Sequence, residues 1–202
     1  MYNVNEVDNV SSKKEPKLYK TFRPVLTFLF KILYRPKIIG RENIKKIGRL
    51  ILAGNHTNNL DAVLLISSTN RCIHFLAKKE LCSGIKRIIF TNVGLIPVNR
   101  KIKDPSVLIK AREYILDEKL IGIFPEGTIE KEKNVFLPFK IGAVKLASDT
   151  DCDIVPFYIS GDYKLFSSNL KIVFGEPIKI DNKDLDKENA KLISNIKALA
   201  NK

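Results

Sequence analysis

Cysteine and histidine are scarce in this chain, which argues against two kinds of chemistry. The three cysteines, Cys72, Cys82 and Cys152, show no Cys-x-x-Cys spacing, so we interpret them as reduced core thiols of a cytosol-facing protein, not as metal ligands or nucleophiles. His56 and His74 are the only histidines, and two separated histidines are too few for an ordinary zinc site. We therefore expect no metal, and a packing role for His74, which alternates with apolar neighbours along a predicted strand.

The chain also lacks an apolar run long enough to cross a membrane. A membrane span requires about 18 or more apolar residues, and the longest apolar stretch here is broken by Lys31. The first residues show no charged start followed by an apolar core and a small-residue cleavage site, so no signal peptide is predicted. Residues 1–16 are polar and aperiodic, which predicts a disordered tail.

Positive charge, by contrast, is abundant and unevenly distributed. The net charge is +13, from 35 Lys and Arg against 22 Asp and Glu. Between Lys13 and Arg49, twelve basic residues are opposed by Glu15 and Glu42 alone, so this arm holds +10 of the +13. Such an excess implies an acidic partner, which could be a membrane surface, a nucleic acid or a phosphorylated substrate.

Residues 17–36 carry the periodicity of an amphipathic helix within this basic arm. Pro24 either starts or kinks the helix, and Pro36 ends it. A basic helix rich in Phe and Leu suits an anionic membrane surface, although the same pattern also fits a helix packed on the protein's own domain. The residues predicted to contact a membrane are Phe22, Leu26, Leu29 and Leu33 on the apolar side and Lys20, Arg23 and Lys31 on the basic side.

Strand and helix signals alternate from residue 37 onward. This alternation predicts one domain, residues 37–202, with an α/β fold: a mixed, largely parallel sheet covered by helices on both faces and preceded by the basic amphipathic helix. The predicted strands are Leu50–Ala53, Cys72–Ala77, Leu95–Val98, Leu120–Phe124, Ile154–Ile159 and Lys171–Phe174. One predicted helix begins at Leu60. The others cover residues 81–90, 104–118, 142–148 and about 184–200.

Three polar residues of different chemistry follow predicted strands directly: His56, Arg100 and Glu126. Ligands in such sheets bind beyond the carboxyl ends of the strands, so we expect these side chains at one edge of the sheet. Arg100 offers the planar fork that matches a phosphate. Gly127 permits a close approach of the backbone to a ligand. Each residue alone could be an ordinary turn or cap, but the set of three indicates a site.

Asp61 stands five positions after His56 in a strand-to-helix turn. A bent backbone there can bring the carboxylate to the imidazole. Such a pair forms part of a general base, because the carboxylate orients the ring and stabilises the imidazolium that proton uptake creates. Taken alone, the spacing also fits a surface turn with a capping aspartate.

Four short blocks occur in order: Asn55 to Asp61, Gly94 to Arg100, Phe124 to Thr128 and Val155 to Ile159. Together they resemble the 1-acyl-sn-glycerol-3-phosphate acyltransferase (lysophosphatidic acid acyltransferase) family of the glycerolipid acyltransferase superfamily, over about residues 38–178. The resemblance implies that His56 and Asp61 are catalytic. It also implies that the phosphate and glycerol of the acceptor are bound by Arg100, Glu126, Gly127 and Thr128.

One position departs from the family pattern. Ile129 stands where relatives usually carry an arginine directly after the Glu-Gly-Thr of the third block, and Glu130 follows it. This change removes an expected phosphate contact, so either nearby lysines compensate or the acceptor differs. The supporting basic residues that we consider are Lys78, Lys131 and Lys140.

The implied reaction moves a fatty acyl group from a thioester, acyl-CoA or acyl-carrier protein, to the sn-2 hydroxyl of lysophosphatidic acid, giving phosphatidic acid for phospholipid biosynthesis. No cofactor is implied beyond the donor substrate. The implied location is the cytoplasmic face of an anionic membrane, as a peripheral protein. Alternatives are another acceptor (glycerol 3-phosphate, a different lysophospholipid or an aminolipid) or a non-catalytic basic membrane-binding module. A nucleic-acid partner is not expected, because the basic arm carries no reading motif.

Overall fold

The computed structural model describes residues 17–78, 95–98, 106–129, 136–181 and 184–202. Within these ranges the helices are α1 (Lys17–Tyr34), α2 (Asp61–Ser68), α3 (Ser106–Leu116), α4 (Gly142–Thr150) and α5 (Leu185–Leu199), with a 3₁₀ turn at Arg41–Asn43. The strands are β1 (Lys37–Ile39), β2 (Leu50–Gly54), β3 (Ile73–Lys78), β4 (Leu95–Val98), β5 (Leu120–Ile123), β6 (Asp153–Ser160) and β7 (Lys171–Phe174).

The described strands form one sheet in the order β1-β7-β6-β2-β5-β3-β4. Strands β6, β2, β5, β3 and β4 run parallel to one another. Strand β7 is antiparallel to β6, and β1 is parallel to β7, so this two-stranded edge runs the opposite way. The predicted mixed, largely parallel sheet is therefore confirmed, whereas β1 was not predicted.

The central strand β2 is buried along its whole length, because helices cover both faces of the sheet. Successive side chains of a strand point to opposite faces. Leu50 and Leu52 accordingly pack in the layer that contains α1 and α2. Ile51 and Ala53 pack in the layer that contains α3, α4 and α5. A strand covered on both faces has a continuous apolar run instead of an alternating pattern. The sequence of β2 has such a run.

Helix α1 packs against the domain through one side. The Tyr19 hydroxyl donates to the carbonyl of Arg71 at 2.9 Å. Arg23 donates from Nε to the carbonyl of Thr69 and from its terminal nitrogen to Oδ1 of Asn70, both at 2.9 Å. The guanidinium of Arg23 thus bonds the segment that follows α2, and its predicted contact with a membrane stays a prediction.

The other side of α1 is exposed and apolar. Lys20 and Lys31 are also exposed, while Leu33 is half-buried. In the described part of the chain, no helix is both long enough and apolar enough to cross a bilayer. The large apolar side chains of α1 that are exposed are Phe22, Val25, Leu26, Phe28, Leu29 and Ile32.

The remaining differences from the predicted elements lie at their ends. Strand β2 runs on to Gly54, and α2 begins at Asp61. The side chain of Asp184 accepts the backbone N–H of Lys187 at 3.0 Å and caps α5, as favoured for aspartate at a helix start. The helix predicted at residues 81–90 lies outside the described residues, as does the predicted start of α3 at residues 104–105.

Candidate active site

The site begins where β2 ends against β6. A Cβ placed on Gly54 would lie 2.2 Å from the carbonyl oxygen of Phe157, so only glycine allows this approach. The side-chain amide of Asn55 then donates to the carbonyl of Ile159 at 2.8 Å, and its oxygen accepts the Ile159 N–H at 2.7 Å. The Asn55 side chain thus makes the hydrogen bonds to β6 that a strand backbone would make. The backbone of Asn55 itself leaves the sheet at this point. This turn directs His56 beyond the carboxyl edge of the sheet.

His56 and Asp61 form the pair that the spacing predicted. The Nδ1 atom of His56 lies 2.9 Å from Oδ2 of Asp61. The Asp61 side chain is fully buried, whereas 18% of the His56 side chain is exposed. The imidazole stacks on Phe124, with ring centroids 4.0 Å apart. The aspartate contact assigns the N–H to Nδ1 and the lone pair to Nε2, which is the state required of a general base.

Backbone and side-chain donors of the same turn hold the Asp61 carboxylate. Its Oδ2 accepts the N–H of Thr57 at 2.6 Å and that of Asn58 at 2.9 Å. Its Oδ1 accepts the Thr57 hydroxyl at 3.3 Å. An ionised carboxylate has only acceptor atoms, and these donors occupy both of its oxygens. The Asp61 side chain is therefore held in one orientation at the start of α2.

Tyr163 is a partner of Asp61 that the sequence did not predict. Its hydroxyl donates to Oδ1 of Asp61 at 2.5 Å from the loop between β6 and β7. Burial raises the pKa of Tyr163 well above its ordinary value, and the neighbouring negative charge of Asp61 raises it further. The phenol therefore stays protonated and donates. The two residues are 102 positions apart, and no pattern in a single sequence joins them.

Glu126 lies beside His56, at the end of the neighbouring strand β5. One carboxylate oxygen accepts the backbone N–H of His56 at 3.2 Å, and the other accepts that of Leu137, also at 3.2 Å. The residue is 4% exposed. Glu126 thus joins the His56 turn to the segment before α4, which is a structural function. Its contact with an acceptor remains a prediction.

Gly127 and Lys140 meet next to Glu126. Gly127 has a φ of +71°, and a Cβ on it would lie 2.6 Å from the Lys140 ammonium. The Lys140 N–H also donates to the carbonyl of Pro125 at 3.0 Å. Thr128 is exposed and Ile129 half-buried. Glycine at this position therefore leaves room for a cation beside the third block.

The other predicted phosphate-binding residues cannot be placed in the site. Arg100 and Lys131 lie outside the described residues, and Lys78 ends β3 with a side chain that is also outside them. Lys140 is the supporting lysine whose side chain the structure describes.

The described cysteines and the second histidine lie away from this edge. Cys72 and Cys152 are buried, and they precede β3 and β6, at the amino ends of these strands. Burial raises the pKa of Cys152 to about 11, which keeps its thiol protonated and unreactive. His74 is buried with its ring 4.8 Å from that of Tyr114, as expected of a packing residue. Cys82 lies outside the described residues.

These features define the class of site: a carboxylate-oriented imidazole at the carboxyl edge of an α/β sheet, able to take a proton from a substrate. The comparisons agree with this class. The family model described as Acyltransferase matches residues 35–160. The chain therefore belongs to the Acyltransferase family, and the resemblance noted in the sequence is confirmed.

Similar curated proteins from two bacteria carry the name 1-acyl-sn-glycerol-3-phosphate acyltransferase. The protein of that name from Borreliella burgdorferi is 31% identical over 150 residues, which cover 71% of this chain and 57% of the relative. The one from Bacillus subtilis is 27% identical over 168 residues, covering 80% of this chain and 82% of the relative. The chain thus spans little more than half of the first relative and most of the second.

A solved structure shows the same fold. The crystal structure of the 1-acyl-sn-glycerophosphate (LPA) acyltransferase from Thermotoga maritima matches with a TM-score of 0.70 and 20% identity, covering 90% of this chain and 77% of that one. At this identity the likeness establishes the fold alone.

Proposed function

We propose that this protein transfers a fatty acyl group from an acyl thioester to the sn-2 hydroxyl of 1-acyl-sn-glycerol 3-phosphate, giving phosphatidic acid. The observation that carries the proposal is the 2.9 Å contact between Nδ1 of His56 and the buried carboxylate of Asp61. The names of the similar proteins from B. burgdorferi and B. subtilis support the choice of reaction. The thioester is acyl-CoA or acyl-carrier protein.

The chemistry follows from the geometry of the pair. Nε2 of His56 takes the proton of the acceptor hydroxyl as its oxygen forms a bond to the thioester carbonyl carbon. The carbon–sulfur bond then breaks, and the imidazolium returns the proton to the departing thiolate. Asp61 stabilises the imidazolium between these two steps. The acceptor oxygen is itself the nucleophile, which agrees with the position of Cys72 and Cys152 at the opposite edge of the sheet.

The acceptor phosphate requires cations near this pair. In the proposal, Arg100 supplies a bidentate contact and Lys140 supplies a point charge beside Gly127. Lys140 takes part of the role of the arginine that Ile129 replaces, because its ammonium already lies against the turn that carries Glu126 and Gly127. Thr128 is exposed next to it and can donate to the same phosphate.

We further propose that the protein attaches to the cytoplasmic face of an anionic membrane. The exposed apolar side of α1 forms the attachment surface, and Leu165 and Phe166 extend it, because the Phe166 N–H donates to the carbonyl of Leu33 at 2.5 Å. A helix with such a face lies at the headgroup boundary, and surrounding cations add to its affinity for anionic lipids. The acceptor and the product are lipids, so attachment brings the site to its substrate.

Ile129 keeps an acceptor other than lysophosphatidic acid as a candidate. The arginine expected at this position would contribute to phosphate binding, so its absence is a reason to compare acceptors other than lysophosphatidic acid. Glycerol 3-phosphate, other lysophospholipids and aminolipids are the acceptors to compare.

An acceptor panel tests the proposed reaction. Thiol release from acyl-CoA and acyl-carrier protein is measured for the purified chain with each acceptor. We expect the highest kcat/KM with lysophosphatidic acid. A higher kcat/KM with another acceptor would assign the protein to that substrate, and Ile129→Arg should then shift the preference back toward lysophosphatidic acid.

A further inference from the structure

The hydrogen bond between Tyr163 and Asp61 carries an inference about how the catalytic pair is held. We propose that Tyr163 is a positioning residue that fixes the Asp61 carboxylate against His56, and that α1 holds Tyr163 in place. The role assigned to His56 rests on the proposed function, whereas the contacts themselves do not.

The two oxygens of Asp61 have different partners. Oδ2 faces the His56 ring and the backbone N–H groups of Thr57 and Asn58. Oδ1 accepts the Tyr163 hydroxyl at 2.5 Å, and the other described donor at this oxygen, the Thr57 hydroxyl, lies at 3.3 Å. Tyr163 therefore sets the rotation of the carboxylate plane. That rotation decides whether a lone pair of Oδ2 points at Nδ1.

Two aromatic side chains of α1 pack against the ring of Tyr163. Phe30 and Tyr34 contact it edge-on, with ring centroids at 6.4 and 5.8 Å, and they contact each other at 4.9 Å. Phe30 is almost fully buried. Such ring pairs contribute beyond the area that they bury.

The loop that carries Tyr163 is also joined to α1 through its backbone. The N–H of Phe166 donates to the carbonyl of Leu33 at 2.5 Å. A continuous set of contacts thus runs from the last turns of α1 through Tyr163 to Asp61 and His56. The helix that carries the proposed membrane surface therefore also supports the geometry of the general base.

The kinetic test uses Tyr163→Phe, which removes the hydroxyl and keeps the ring. Loss of a hydrogen bond to a charged group should lower kcat by about ten- to a hundredfold. The KM values for acyl-CoA and lysophosphatidic acid should stay within about twofold, because no substrate contact is removed. The control is Tyr158→Phe, which removes another buried tyrosine hydroxyl from β6, on the opposite face of the sheet; its kcat should match the wild type.

A spectroscopic test is independent of the reaction. The chain has two histidines, so ¹⁵N and ¹H spectra of labelled imidazoles contain two sets of signals, and His56→Ala assigns those of His56. Tyr163→Phe should shift or broaden the Nδ1–H signal of His56, while Tyr158→Phe should leave it unchanged. A changed signal in a protein that is inactive with every acceptor would support the positioning role and reject the proposed function.

A second variant tests the contribution of α1. Phe30→Leu keeps the Tyr163 hydroxyl but removes an aromatic neighbour of the Tyr163 ring. We therefore expect a smaller fall in kcat than in Tyr163→Phe. The Nδ1–H signal of His56 should change in the same way as in Tyr163→Phe. The kinetic assays use detergent-dispersed acceptor, which excludes effects of membrane attachment. If Tyr163→Phe changes neither kcat nor the His56 signal and lowers only the melting temperature, Tyr163 is structural and the proposal is wrong. Unchanged kcat and spectra in Phe30→Leu would reject the part assigned to α1.

Discussion

Helix α1 has two apolar sides with opposite surroundings. On one side Tyr19 and Phe30 are each 4% exposed, and Arg23 caps the carbonyl of Thr69. On the other side Phe22 is 58% exposed, and its apolar neighbours are similarly open to solvent. The sequence periodicity predicted one apolar and one polar face, whereas the helix uses its apolar residues in two directions. Packing on the domain and the proposed membrane attachment therefore use different sides of this helix and are not alternatives.

The physical reason lies in the cost of exposed apolar area. Burying a Phe or Leu side chain is worth roughly 1.5–3 kcal/mol, so a row of them left in water is unfavourable unless another surface covers it. Contiguous apolar patches on a protein mark surfaces that bind proteins or membranes. The basic residues around α1 favour the membrane, because they match its negative charge.

The largest effect is expected from removing the base. Any fall in activity caused by a change in α1 should be smaller than this one. His56→Ala should lower kcat about 10²–10⁴-fold with the fold retained. Asp61→Asn should also be strongly impaired, because it loses the charge that favours the imidazolium. Steady-state kinetics and circular dichroism check both variants. Near wild-type transfer by folded His56→Ala would reject the mechanism.

A pair of phenylalanine variants tests the difference between the two sides of α1. Phe30→Ala removes a buried ring and should lower the free energy of unfolding by about 3 kcal/mol or more. Phe22→Ala removes an exposed ring of the same size and should change it by less than about 0.5 kcal/mol. Urea unfolding measures both. Equal losses of stability in the two variants would show that Phe22 is also covered by the protein.

The exposed side is tested by charge insertion. Leu26→Asp combined with Leu29→Asp should weaken binding to anionic vesicles by about a hundredfold or more, because two apolar side chains no longer enter the headgroup boundary. Activity on a detergent-dispersed acceptor should remain. Sedimentation with vesicles and the dispersed assay give the two readouts. Unaltered vesicle binding by the folded variant would assign attachment to another surface.

The smallest effect is expected from the exposed cations of the helix. Lys20→Gln with Lys31→Gln should weaken vesicle binding by about thirtyfold, at roughly 1 kcal/mol for each charge, and should flatten its dependence on salt. Arg23→Gln is the matched comparison, since its guanidinium bonds the domain. That variant should lower the melting temperature more than it alters the salt dependence. A salt dependence unchanged by the double variant would contradict the electrostatic part of the attachment.

Much of the fold could be predicted because its central strands are covered on both faces. Strands of this kind are continuous apolar runs, as in β2 and β7, and helices with their own periodicity separate them. Strand β1 has only three residues at the edge of the sheet, which is too short for any periodicity. The antiparallel direction of β7 could not be predicted from the sequence either, because the connection from β6 carries no two-residue turn signal.

The candidate site was predictable where it depends on position along the chain. His56 and Glu126 follow neighbouring parallel strands, so the sheet brings them together, and Asp61 is five residues from His56. The roles of Tyr163 and Asn55 depend on segments more than a hundred residues away, and only the folded chain shows them. Arg100 lies outside the described residues, and its phosphate contact stays a prediction.

The central claim is that His56 activates the sn-2 hydroxyl of a lysophosphatidic acid for attack on a thioester. Its most direct test is mass spectrometry of the lipids formed by the purified full chain from 1-acyl-sn-glycerol 3-phosphate and an isotope-labelled acyl group, supplied as acyl-CoA and, in parallel, as acyl-carrier protein. The account predicts phosphatidic acid labelled at sn-2, with one thiol released per product, and none above background from folded His56→Ala. Absence of labelled phosphatidic acid with both donors, or equal formation by the variant, would contradict it.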